Sequence, residues 1–168
     1  MIVLGLDPGI APTGWGIVRR DGTRTVHLAH GVLKTDPDAA DHARAVQLAL
    51  GLATVLRDHR PDVVAIERWV HYGQSATVAA HTLGHVIGAL FTACSVAGVP
   101  TVSTSRAQDW RTALGLSRSA TKAQAQERVR AALGLRDVVR PQHASDALAV
   151  AIVAARGSFG QVAGRAVR

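Results

Sequence analysis

Four side chains have the types and positions needed to hold divalent cations. Asp7 closes the apolar run Ile2–Leu6, and Glu67 closes a second one, Val63–Ile66. His143 and Asp146 stand three residues apart where a late helix should begin, so they share one face of one turn. Carboxylates at the ends of buried strands lie where α/β folds present their sites. Oxygen ligands converging from different elements can hold two divalent ions about 3.5–4 Å apart, an arrangement that suits phosphodiester hydrolysis. Mg²⁺ and Mn²⁺ both accept oxygen ligands, and an imidazole tilts a site toward Mn²⁺. In such a site Asp7 would bridge the ions, with Glu67 on one and His143 and Asp146 on the other. Each residue alone has an ordinary explanation. Asp7-Pro8-Gly9 is a common turn, Glu67 could be a solvated strand end, and His143 and Asp146 could decorate a helix N-terminus. The chemistry is a property of the set.

The elements around these residues follow from apolar patterning and punctuation. Ile2–Leu6 reads as a central strand, Gly14–Val18 as its extended neighbour, and Asp21-Gly22 as a hairpin signal leading to a third strand over Thr25–Lys34. Asp38 is a candidate N-cap for an apolar helix running to about Asp58, which Pro61 ends. Val63–Ile66 is a buried strand, Gln74–Ala97 a long helix rich in small residues, and Val99–Val102 another buried strand. Helices are expected over Ser105–Leu114, Ala120–Leu133 and His143–Ala155. The order β-β-β-α-β-α-β-α-α-α predicts an α/β fold, a mixed five-stranded sheet with helices on both faces. One domain should span residues 1–157, and the basic, Gly-containing segment 158–168 reads as a tail.

Composition narrows the partners. Nineteen Lys and Arg against twelve Asp and Glu give a net charge of +7, and a polyanion is the natural counterpart. Most of the excess falls between Arg106 and Arg140, where eight basic residues face only Asp109, Glu127 and Asp137. The single cysteine, Cys94, excludes an internal disulfide and a cysteine-rich zinc site, and its apolar surroundings predict a buried, inert thiol. The N-terminus opens directly on a strand, and the most apolar stretch is too short to span a bilayer, so a cytoplasmic protein with no membrane partner is expected.

Three segments resemble one known family. Met1–Gly9 followed by Thr13-Gly14-Trp15-Gly16 resembles the opening of RuvC Holliday junction resolvases, Ala65-Ile66-Glu67 their second acidic strand, and Pro141–Ala149 their last helix. The first segment alone also resembles sugar kinases and actin-like ATPases, but this chain is too short for their two lobes. The three together, in order, are specific, and the likeness runs from Met1 to about Ala155. It implies an RNase H-like fold, a homodimer, two Mg²⁺ or Mn²⁺ ions per site, and products with a 5′-phosphate. The substrate would be four-way junction DNA, cut during recombination and repair, with a RuvA–RuvB branch-migration complex as partner. The family's site positions map onto Asp7, Glu67, His143 and Asp146. His143 stands where the family often has Asp, which leaves the metal preference open between Mg²⁺ and Mn²⁺.

The resemblance extends to contacts with DNA. Lys122, in Thr121-Lys122-Ala123-Gln124, resembles the family's phosphate-contacting lysine near a helix start. A further basic position falls near Trp110 and Arg111, and only Arg111 matches in type. Arg68 and Arg118 join these as backbone contacts. Many members carry an aromatic wedge after the second acidic residue. Here Val70 holds that place, so Trp69, His71 or Tyr72 would have to supply the stacking. Gly84 and Gly88 lie four apart on the long helix that resembles the family's dimer helix, where they could let two helices approach closely or equally pack this helix on its own sheet. Two other readings share these features: an RNase H-like nuclease acting on RNA or DNA ends, and a non-catalytic junction-binding protein.

Overall fold

A computed structural model describes residues 1–68, 77–99 and 101–157 of the chain. Five strands, β1 (Ile2–Asp7), β2 (Thr13–Asp21), β3 (Arg24–Leu33), β4 (Val63–Arg68) and β5 (Thr101–Arg106), form one sheet in the order β3-β2-β1-β4-β5. The first three are antiparallel neighbours, whereas β4 runs parallel to both β1 and β5. The helices are α1 (Asp41–His59), α2 (Thr77–Val96), α3 (Ala107–Ala113), α4 (Lys122–Leu133) and α5 (Gln142–Ala155). This is the expected element order, and the sheet is the expected mixed one.

Side-chain alternation along the strands sorts the core into two layers. Leu4, Leu6, Ile17, Val64 and Ile66 pack against Leu48, Leu52 and Leu56 of α1 and Val86 and Leu90 of α2. Val3, Val18 and Ala65 point the other way, onto α3, α4 and α5. The two faces are thus covered by different helices. The period of two carries a consequence for chemistry. Asp7 follows Val3 and Gly5 in phase, and Glu67 follows Ala65, so both acids belong to the face that α5 covers.

Helix α5 lies unusually close to that face because glycines line its path. A Cβ on Gly5 would strike the carbonyl oxygen of Ala147 and the amide nitrogen of Ala151. One on Gly14 would strike the carbonyl oxygen of His143, and one on Gly16 would meet the side chain of Leu148. With ten of its residues buried, α5 is the central helix of the molecule.

Several boundaries differ from expectation, β2 running on to Asp21 among them. Helix α1 starts at Asp41 with Ala40 as its N-cap, not Asp38. The Asp36-Pro37-Asp38 segment instead forms a local turn in which the amide of Asp38 donates to Oδ1 of Asp36. Strand β5 occupies Thr101–Arg106, beyond the expected Val102, and Ser105 is a buried strand residue rather than a helix start. Parallel pairing with β4, including Glu67 opposite Ser105, overrides the weak strand preference of serine. Helix α3 is correspondingly short.

Candidate functional site

Asp7 is the last residue of β1, and Glu67 lies one step beyond the Leu6–Ile66 pair on the parallel neighbour β4. The strands therefore deliver two carboxylates side by side at one end of the sheet. His143 and Asp146 reach the same place from the first turn of α5. The antiparallel partner of Asp7 is Gly14, the residue over which the backbone of His143 rests. Nδ1 of His143 stands 2.7 Å from Oδ2 of Asp7, and Nε2 of Gln142 donates to Oδ2 of Asp146 at 3.2 Å. Nε1 of Trp110, on α3, donates to Oε2 of Glu67 at 2.8 Å. Each carboxylate thus has one oxygen held by a neighbouring side chain.

The electrostatics mark a shared site. Burial pushes the carboxyl of Asp7 up to about 6, and the charge of Asp146 adds to the effect while His143 opposes it. Glu67 is pushed up to about 7, first by burial and then by the charge of Asp7, against the indole donor of Trp110. Asp146 is raised as well, again mainly by burial, against the Gln142 amide donor and then the charges of His143, Arg111 and Lys122. Asp7 and Glu67 thus feel carboxylates on other elements, Arg111 acts on Glu67 and Asp146, and Lys122 acts on Asp146. Among the described residues no three His, Cys, Asp or Glu side chains already stand at the spacing of a ligand set.

The other expected contacts divide. Lys122 is the first residue of α4, whose N-cap Thr121 forms a reciprocal capping box with Gln124. Arg111 is anchored through Nη2 to the carbonyl oxygen of Ala120, and its guanidinium lies over the Trp110 ring, 5.5 Å from the centroid. Arg118 is exposed in the α3–α4 loop, and Arg68 is exposed at the end of β4. Trp69, Val70, His71 and Tyr72, the expected stacking segment, lie outside the described residues, as does the tail 158–168. Gly84 and Gly88 are exposed on α2 with open space above them. Cys94 is buried, and burial pushes its thiol up to about 12, in line with the inert thiol expected. Among the described residues no helix is long and apolar enough to cross a membrane.

Trp110 is a contributor that sequence reasoning does not supply: the sequence offers it only as a mismatch at a basic position, and its hydrogen bond to Glu67 depends on tertiary contact. The available signal is that mismatch itself, a bulky residue with one N–H donor where a cation is expected.

Comparison with known proteins gives a consistent result. The family model described as crossover junction endodeoxyribonuclease RuvC matches residues 3–154. A crossover junction endodeoxyribonuclease RuvC from Rubrobacter xylanophilus is 37% identical over 151 residues, covering 90% of this chain and 83% of that protein. One from Sorangium cellulosum is 40% identical over 152 residues, with 90% and 83% covered. Thermus thermophilus RuvC superposes with a TM-score of 0.82 at 32% identity, covering 96% of this chain and all of that one. The same protein solved in complex with a Holliday junction substrate superposes equally well.

Proposed function

Since this chain belongs to the RuvC family of crossover junction endodeoxyribonucleases, we propose that it resolves four-way DNA junctions by paired, symmetric, cation-dependent phosphodiester hydrolysis. The observation that supports this best is the meeting of Asp7, Glu67, His143 and Asp146 at one end of the parallel strands. A relative sharing 32% of its sequence has been solved on a Holliday junction, which favours that substrate.

The donor set fits hard divalent cations. Three carboxylates share a largely buried corner, where burial raises the proton affinity of each, and neighbouring carboxylates raise that of Asp7 and Glu67 further. Neutralisation by a divalent ion relieves both the burial and the mutual repulsion. Asp7, Glu67, His143 and Asp146 would hold two such ions, Mg²⁺ or Mn²⁺. Bound there, they supply Lewis-acid charge stabilisation at the phosphate and lower the pKa of water.

The chain's own residues do the rest. The Asp7–His143 contact joins β1 to α5 and fixes the angle of the imidazole. Gln142 orients Asp146 from one turn away. Lys122 faces the acids and stabilises negative charge on the scissile phosphate. Arg68, Arg111 and Arg118 hold the sugar-phosphate backbone, so binding reads branched shape more than sequence. Two copies related by a two-fold axis would address two like strands, and the open stripe at Gly84 and Gly88 lets a second α2 approach closely.

Incubation of the protein with a synthetic mobile four-way junction and Mg²⁺ or Mn²⁺, beside Asp7→Asn, tests the reading. Paired symmetric nicks that vanish in the variant are expected. Binding without cuts under both metals would leave a junction-binding scaffold as the better account.

A further inference from the structure

Trp110 is the one buried residue of α3, with 2% of its surface exposed. An indole N–H only donates, and when buried it requires an acceptor. Here that acceptor is a carboxylate 43 residues away in sequence, Oε2 of Glu67 at 2.8 Å. A bond to a charged acceptor is shorter and stronger than a neutral one. With Oε2 held, rotation about the last side-chain bond of Glu67 is restricted, and the direction of Oε1 is set in advance.

The ring is itself held in place. The guanidinium of Arg111 covers one face, 5.5 Å from the centroid. Arg111 is fixed in turn by its bond to the carbonyl oxygen of Ala120, just before α4 begins. A single chain of contacts therefore runs from the start of α4 through Arg111 and Trp110 to Glu67. Arg111 also places positive charge near Glu67 and Asp146.

We propose that Trp110 is a positioning residue, whose indole N–H fixes Oε2 of Glu67 and so presents Oε1 to a divalent cation. The inference rests on the reading of this site as a cation-dependent nuclease centre. It predicts that removing the N–H weakens cation binding even where the shape of the ring is kept.

The test uses the full chain with Trp110→Phe, and a second protein in which Trp110 alone is replaced by β-(3-benzothienyl)alanine. That residue keeps the bicyclic shape and lacks the N–H, so it separates packing from hydrogen bonding. Free Mn²⁺ is titrated against each protein without DNA, followed by the electron paramagnetic resonance of the unbound ion. The wild-type protein should bind Mn²⁺ and Asp7→Asn should not. Both Trp110 replacements should raise the apparent Mn²⁺ dissociation constant about 10-fold. Cleavage by the benzothienyl protein should recover at high Mn²⁺, which a merely misfolded site would not do. Equal Mn²⁺ affinity in the wild-type and benzothienyl proteins would overturn the role of Trp110 while leaving the nuclease reading intact. Absence of Asp7-dependent binding in the wild type would overturn both.

Discussion

Nδ1 of His143 lies 2.7 Å from Oδ2 of Asp7 across 136 residues of sequence. The contact exists because α5 rests on glycines, so that the first turn of the helix drops onto the end of β1. Gly14 matters most, since a Cβ there would strike the backbone of His143 itself. The displaced atom would be a helix backbone atom, which cannot swing aside like a side-chain tip. Gly14→Ala should therefore cost about 1–3 kcal/mol of stability through overpacking. It should also reduce junction cleavage more than the stability loss explains. Urea denaturation and single-turnover cleavage at a temperature where the variant is folded measure the two effects. Full activity in a stable Gly14→Ala protein would refute the dependence of the site on this close approach.

The raised carboxyl groups make the cation-free protein sensitive to pH. Asp7 protonates at about 6 and Glu67 at about 7, against ordinary values of 3.8 and 4.5. The folded state thus holds these protons more tightly than the unfolded chain. Below about pH 4 both states are protonated and neither group costs stability. As pH rises through that value the unfolded chain ionises first, and stability falls until the folded groups have ionised near pH 7. With a chelator present, the melting temperature should be lower at pH 8 than at pH 5. Asp7→Asn should stabilise the protein at pH 8 by on the order of 2 kcal/mol, which raises the melting temperature by roughly 4–8 °C, while abolishing cleavage. Mg²⁺ should stabilise the wild type more at pH 8 than at pH 5. Unchanged melting across this range would argue that the acids are far better solvated than their burial indicates.

Much of this site was legible in the sequence, for a physical reason. Asp7 and Glu67 each end a short apolar run, and runs of that kind are buried strands whose last residues lie where α/β folds present their sites. Alternation puts Asp7 in phase with Val3 and Gly5, and Glu67 in phase with Ala65, but only the parallel register of β1 and β4 brings the two onto one face. His143 and Asp146 were visible as a helix-turn pair. What stayed hidden depends on tertiary contact. The extent of β5 is set by its pairing with β4 and not by the propensities of Ser103 and Ser105. The start of α1 is set by the Asx-type turn at Asp36, which removes Asp38 from capping. The Trp110–Glu67 bond joins elements whose approach no local pattern encodes.

His143 should decide the choice of cation. An imidazole beside carboxylates favours Mn²⁺ over Mg²⁺, which prefers an all-oxygen shell. His143→Asp supplies that shell and removes the nitrogen. It also puts a further carboxylate beside Asp7, whose charge a bound cation would neutralise. The ratio of cleavage rates in Mn²⁺ and Mg²⁺ should fall on the order of 10-fold in the variant, chiefly through improved use of Mg²⁺. Junction binding without divalent ions should weaken slightly, from the added charge. A ratio that does not move would show that His143 serves Asp7 alone and does not touch the cation.

Lys122 and Arg118 are both exposed cations near the α3–α4 loop, and they should fail in different ways. Lys122 opens α4, and its charge is felt by Asp146, whereas Arg118 sits in the preceding loop. A charge aimed at the reacting phosphate acts most strongly when negative charge develops there. Lys122→Ala should lower the single-turnover cleavage rate about 10²-fold, with little change in junction affinity. A charge on the flanking backbone acts by releasing counterions on binding. Arg118→Ala should weaken junction binding and reduce the salt slope by about one, with the rate on the bound junction preserved. Affinity measured from 50 to 200 mM salt, together with cleavage at saturating protein, separates the two. A shared loss of affinity with unchanged rates would move Lys122 out of the site and into the general electrostatic footprint.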